Sequence, residues 1–219
     1  MKGLLKKDLA LLANTAKVYL AVIAMGIFLG IIKQDMRNFV LSWSVIMLGI
    51  TGLSTISYDD FENGMPFLMT LGVSRKTYVK EKYLLCYMTA LAGCLISLAV
   101  GCLIFGMKPI DAGGESLLAF LSLFFATAGI MLSFMIPIRL RFGPEQSRIV
   151  GIGLVVVIWI VSFGITRIIK FLPASAKEIL NKIGNASDGM VVLGFFLIFI
   201  VASGISYGYS AHVLEKKEF

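Results

Sequence analysis

Charge is what this 219-residue sequence holds least of. Asp, Glu, Lys and Arg make up 15% of it, against 58% hydrophobic residues. A soluble domain carries roughly 25% charged residues, and water could not hold so apolar a chain as a monomer. The central turns of the long apolar runs contain no Asp, Glu or Lys, where each charge would cost on the order of 2.5–3.5 kcal/mol on insertion scales. That absence argues against a proton relay or a coupled-ion site inside a membrane. The single histidine, His212, excludes an HExxH zinc site and a histidine-based catalytic dyad within the membrane. No GxxxxGK(S/T) stretch occurs, so the chain does not bind ATP through a Walker phosphate loop. Cysteine is scarce too. Cys86, Cys94 and Cys102 recur at eight-residue intervals, about 12 Å apart along a helix. That is beyond disulfide reach, and they read as small packing residues.

What is present is a set of apolar runs: Val18–Ile32, Phe39–Ser57, Tyr83–Phe105, Leu117–Ile138, Ile149–Ile169 and Val191–Tyr209. A spanning helix needs about 20 apolar residues. The first run is short, so Thr15–Lys17 extend it, with Lys17 snorkelling to the headgroups. The reading is an all-α membrane protein of one domain, 1–219, with six transmembrane helices. Met1–Leu12 lacks a small-residue cleavage site. As a helix it gathers Leu4, Leu5, Leu9 and Leu12 on one face, interrupted by Asp8, with Lys2, Lys6 and Lys7 opposite. This predicts an interfacial helix over 1–16 lying on the membrane surface, the alternative being a disordered basic tail. With the N-terminus inside, Lys2, Lys6, Lys7, Lys17, Arg75, Lys76, Lys80, Lys82, Arg139, Arg141, Arg148, Lys216 and Lys217 fall inside. Lys33, Arg37, Lys108, Arg167, Lys170, Lys177 and Lys182 fall outside. The bias of 13 against 7 puts both termini in the cytoplasm. It also accounts for the net charge of +7 through basic loops facing anionic lipid, without nucleic acid.

The longest cytoplasmic loop, 58–82, carries the strongest local signal. Asn63-Gly64 marks a turn, Pro66 suits the first position of a short helix, and Gly72 ends it. Ser74 can cap the helix leading into the third span. An apolar helical turn, Phe67-Leu68-Met69-Leu71, is thus displayed between acidic and basic flanks. Such a turn marks a partner surface or folds back onto the membrane interface; composition leaves both open.

This loop resembles the cytoplasmic coupling segment of bacterial ABC-transporter permeases of the type-two exporter group. The small six-span branch has a pattern close to Thr-Leu-Pro-x-Ser/Thr-Arg-x-x-Tyr/Val-Val-x-x-Lys-Tyr. The match falls on Thr70, Leu71, Ser74, Arg75, Tyr78, Val79, Lys82 and Tyr83, and the departure on Gly72, where the branch usually has proline. Between the fourth and fifth spans, Arg141-Phe142-Gly143-Pro144-Glu145-Gln146-Ser147-Arg148 resembles that branch's basic-Phe-Gly-x-Glu-x-x-Arg segment. The order of elements fits from end to end.

The resemblance implies a type-two ABC exporter fold. Two permeases, a pair of copies or this chain and a paralogue, assemble with two cytosolic ATPase subunits that hold ATP and Mg. The chain itself binds no cofactor or metal and is no enzyme. Glu62, Met65, Pro66, Phe67, Leu68, Met69 and Leu71 would contact the ATPase, with Arg75 as a polar neighbour. The N-terminal helix would add a second contact, and Arg141, Phe142, Gly143, Glu145 and Arg148 a further cytoplasmic one. Exporters of this group pair through the first and fifth spans, which favours Gly26, Gly30, Gly151 and Gly153 near a dimer seam. The second GxxxG, Gly204 and Gly208, suits packing within one protomer. The outer loop 170–190 reads as short extracellular re-entrant helices before the last span, or as a plain interfacial helix.

Substrate is signalled weakly. Trp43, Ser44, Ser54, Trp159 and Ser162 are the pathway candidates on spans two and five. An apolar pathway with few polar groups suits an amphiphile. The branch includes exporters of phenol-soluble modulins, so the resemblance implies an amphipathic peptide, with hydrophobic antibiotics or lipids as the alternative. A stand-alone carrier or channel is a different class, disfavoured by the absence of intramembrane charge and of a visible inverted repeat.

Overall fold

Long apolar stretches with few Gly or Pro interruptions satisfy their backbone polar groups internally as helices, and the chain does so almost throughout. A computed structural model describes residues 2–60, 64–109, 116–171 and 188–216. The elements are α1 (Lys2–Ile32), a 3-10 turn (Gln34–Met36), α2 (Arg37–Asp60), α3 (Gly64–Thr70), α4 (Arg75–Leu103), α5 (Leu117–Phe171) and α6 (Asp188–Lys216). Among the described residues, five segments are long and apolar enough to cross a membrane: Gly3–Ile32, Gln34–Asp60, Arg75–Leu103, Leu117–Phe142 and Gly189–Lys216.

α2 and α4 form the centre of the bundle, where glycine lets their backbones meet. A Cβ on Gly52 would lie 2.8 Å from Cys86 Cα, and one on Gly93 would lie 3.0 Å from Val45 Cα. One apolar cluster gathers Leu4 of α1, Leu53 and Ile56 of α2, Met65 of α3, Tyr78 and Val79 of α4, Leu140 of α5 and Leu214 of α6. The starts of α1 and α4 and the ends of α2 and α6 therefore meet at the end of the bundle that carries α3. A second cluster, Leu41, Val45, Phe105, Leu117, Leu121 and Ala128, fills the opposite end.

Two sequence expectations change. First, α1 is one helix from Lys2 to Ile32 rather than an interfacial helix followed by a span. Nothing between Leu4 and Met25 is Gly or Pro. Thr15 bonds back to the carbonyls of Leu11 and Leu12 instead of capping a new start. Second, residues 139–148 are helical, not an interspan loop. The chain still reverses there. A methyl group on Gly151 would sit 3.6 Å from Met135 Cε, although residues sixteen apart in a straight helix are about 24 Å apart. α5 thus bends back on itself across a stretch containing Gly143-Pro144, where proline removes a helical hydrogen bond. α6 runs parallel to the first part of α5: Phe125 faces Phe196, Ser133 faces Ser203, and Arg141 faces Tyr209. Of the outer loop 170–190, residues 172–187 lie outside the described residues, and the remainder is helical.

Candidate functional site

Local chemistry sets both ends of α3. A Cβ on Gly64 would lie 2.8 Å from the Asp59 carbonyl oxygen, so the turn out of α2 requires glycine. Gly72 takes φ +77°, and its N–H bonds to the Met69 carbonyl at 3.2 Å, a left-handed stop. Proline is locked near −65° and could not adopt it. Gly72, where the resembled branch carries proline, is therefore demanded by this backbone. Ser74 then caps α4, its Oγ accepting from the Thr77 N–H at 3.2 Å.

The faces of α3 differ. Met65 is buried, and Leu68 and Met69 pack against the shared cluster. Phe67, and Leu71 in the turn that follows α3, stand outward, 64% and 63% exposed. Pro66 is half-buried, and Glu62 lies outside the described residues. Arg75 donates to the Glu215 carbonyl, and Lys76 pairs with the Glu215 carboxylate at 3.2 Å. The start of α4 is thereby tied to the end of α6.

Behind α3 lies a buried ionic cluster that sequence reasoning missed. Lys82 is fully buried and spends its donors on Asp8 of α1, on Asp59 of α2 at 2.6 Å and on the Thr55 hydroxyl at 3.2 Å. Asp59 also accepts from Lys7 and, at 2.9 Å, from the Tyr78 hydroxyl. Lys7 stands 3.1 Å from the other Asp8 oxygen. Glu81 is equally buried, its Oε2 3.9 Å from Lys82 Nζ, and neither of its oxygens has a hydrogen-bond partner. Removing one partner of a buried ion pair costs about 3–5 kcal/mol, so these contacts fix three helices against one another. Tyr78 and Lys82 are motif positions to which the sequence alone attached no role. The available signal was Asp8, which interrupts an otherwise apolar face.

Comparison with known proteins follows from this arrangement. The family described as ABC-2 family transporter protein matches residues 3–215. The chain belongs to the ABC-2 transporter family. No curated protein and no solved structure matches it. As an ABC-2 family member it is a multi-pass membrane component of a transporter, in a family whose ATPase is a separate subunit.

The remaining site candidates of this ABC-2 chain are dispersed. Arg141 donates to the Tyr209 hydroxyl at 2.7 Å and lies over the Phe142 ring. Both residues line an apolar groove of about 680 Å³ between α5 and α6, walled by Phe134, Leu197, Val201 and Ile205. They do not join α3. Gly143, Glu145 and Arg148 lie within α5, with side chains outside the described set. Gly26 faces Val40 at 3.2 Å, and a Cβ on Gly30 would strike the Phe105 ring at 2.5 Å. The close approach these two glycines permit is met inside the protomer. Gly204 and Gly208, which suit internal packing by sequence, have nothing within 4 Å. Gly151 faces Met135, and Gly153 has an open surface. Among the pathway candidates, Trp43 and Ser44 line a pocket of about 190 Å³ between α1 and α2. The hydroxyls of Ser44 and Ser54 are returned to their own helix, to Val40 and Thr51. Trp159 and Ser162 have side chains outside the described set.

Proposed function

We propose that this chain is the membrane-spanning permease subunit of an ATP-driven exporter, and that α3 is where a cytosolic ATPase docks. One observation carries the reading: Phe67 of α3 and Leu71 in the turn just after it face outward, while the other side of that helix is packed into a cluster shared by every long helix. Exposed apolar side chains of this kind mark a partner surface. A displacement of α3 would reach α1, α2, α4, α5 and α6 through that cluster. On this reading the α3 end and both termini face the cytoplasm, in keeping with the basic-residue bias. The fold-back of α5 and the parallel course of α6 support a sixth crossing near Ile149–Ile169. The buried charges sit beyond the central turns of the apolar runs, which gives a stand-alone ion-coupled carrier no support.

Two permeases would work with two ATPases, one coupling helix to each, with ATP and Mg held by the ATPases. The groove between α5 and α6 has apolar walls and a cationic end at Arg141, which suits an amphipathic peptide. Hydrophobic antibiotics and lipids fit the same walls, and competition in a vesicle transport assay separates these substrates. The subunit reading is tested by the mass of the complex purified from native membrane. Two permeases with two ATPases is the expected composition, and a stable, active complex with one permease contradicts it. Orientation is tested by labelling in a cysteine-free background. Lys76→Cys should resist a reagent added from outside, and its modification would reverse the topology.

A further inference from the structure

The cluster behind α3 holds one carboxylate too many. Lys7 and Lys82 face Asp8, Asp59 and Glu81, and Glu81 receives no hydrogen bond although it is fully buried. Asp8 Oδ1 likewise lacks a hydrogen bond, and burying an acid whose one ion-pair contact is a long one is a costly arrangement. The position of Glu81 suggests a use. Glu81 Oε2 is 3.9 Å from the ammonium of Lys82, a long ion pair beyond hydrogen-bond distance, and both residues belong to α4. The current partners of Lys82 come from other helices, Asp8 from α1 and Asp59 and Thr55 from α2.

We propose that Lys82 is a two-position latch: it holds α1 and α2 in the conformation described here and turns to Glu81 when α1 moves away. Without Glu81, departure of Asp8 would remove one of the ammonium's two carboxylates in a buried site, a penalty large enough to freeze the helices together. With Glu81 in reach, each position supplies the ammonium with its carboxylates, and the two conformations come close in free energy. Such a bistable element is what a conformational cycle requires. Thr55 accepts from Lys82 and gives its own hydroxyl proton to the Gly52 carbonyl, so it stays bonded in either position, and Asp59 keeps the Tyr78 hydroxyl of α4 when α1 leaves with Lys7. The inference rests on the exporter reading only in supposing that α1 moves during a cycle.

The test uses the full chain in lipid nanodiscs, without ATPase, so its failure is distinct from failure of the exporter reading. Spin labels at Lys6→Cys in α1 and Lys80→Cys in α4, both exposed positions, with the three native cysteines replaced by Ala, report the distance between the helices. Asp8→Asn should raise the ratio of separated to latched populations about tenfold or more. Glu81→Gln is nearly isosteric and takes from the latched form only the long 3.9 Å contact to Lys82, leaving its bonds to Asp8, Asp59 and Thr55. It should lower the ratio by a comparable factor. Opposite signs are the mark of a latch. If Asp8→Asn fails to fold, Glu81→Gln alone decides the matter. A ratio left unchanged by Glu81→Gln, or raised by it, overturns the proposal.

Discussion

The two ends of the bundle are held by different forces. At the α3 end the long helices are joined by directional bonds: Lys82 to Asp8 and Asp59, Arg139 of α5 to Ser57 of α2, and Arg75 to Glu215. Tyr83 of α4 bonds Ser206 and Ser210 of α6. Among the described residues, the opposite end is filled mainly by the apolar cluster of Leu41, Val45, Phe105, Leu117, Leu121 and Ala128. Polar contacts there include Arg37, which donates to the carbonyls of Gly30 and Phe105 and lies over the Phe105 ring, and Ser97 of α4, which donates to the Leu41 carbonyl of α2 at 2.9 Å. In lipid, apolar side chains gain little by leaving acyl chains for each other. Ionic bonds therefore fix the geometry at one end, and shape fit with a few hydrogen bonds guides the other. On the proposed reading, the firm joint lies where the ATPase would act.

The comparison can be broken most severely at Lys82. Lys82→Met leaves Asp8 and Asp59 to share only the half-buried Lys7 and should cost about 3–5 kcal/mol. Thermal unfolding in detergent should show a large fall in Tm or failure to purify. At the opposite end, Gly30→Ala forces the Phe105 ring aside and should cost about 1–3 kcal/mol as overpacking. Its melting temperature should drop less than that of Lys82→Met, while ATPase binding is retained. Tyr83→Phe removes only hydroxyl bonds between α4 and α6. Interhelical hydrogen bonds in membranes average about 0.6 kcal/mol, so its effect on melting should be the smallest of the three. A Tyr83→Phe loss as large as that of Lys82→Met would refute the ranking.

Much of this fold is legible one segment at a time. Apolar runs announce the long helices, and Gly64, Pro66, Gly72 and Ser74 announce α3 and the start of α4, because turns and caps depend on adjacent residues. The ionic cluster is not local. Lys7 pairs with Asp59 across 52 positions, and Lys82 with Asp8 across 74, and no periodicity links them. Each charge sits at the margin of an apolar run, where a solvated residue is the ordinary expectation. The glycine spacings misled for a related reason. Gly26-xxx-Gly30 and Gly204-xxx-Gly208 look alike as patterns, yet the first pair is filled by Val40 and Phe105 and the second is open. Spacing specifies that something can approach closely, not which neighbour does. Similarly, Gly143-Pro144 marks a reversal of α5 without ending its helical backbone.

The coupling role of α3 is tested most directly by the affinity of the ATPase that co-purifies with the wild-type chain. It is measured on nanodisc-embedded protein with Phe67 and Leu71 both replaced by Asp. Both side chains are exposed, so insertion and melting temperature should stay near wild type. Each Asp buried without a partner at the interface costs several kcal/mol, and every 1.4 kcal/mol is tenfold in affinity. The variant should bind the ATPase about a hundredfold or more weakly. A control replacement at the opposite end, Lys33→Asp, should bind as wild type does. Wild-type affinity and transport in the Phe67/Leu71 double variant would contradict the account, because the outward apolar face of α3 would then have no ATPase to meet.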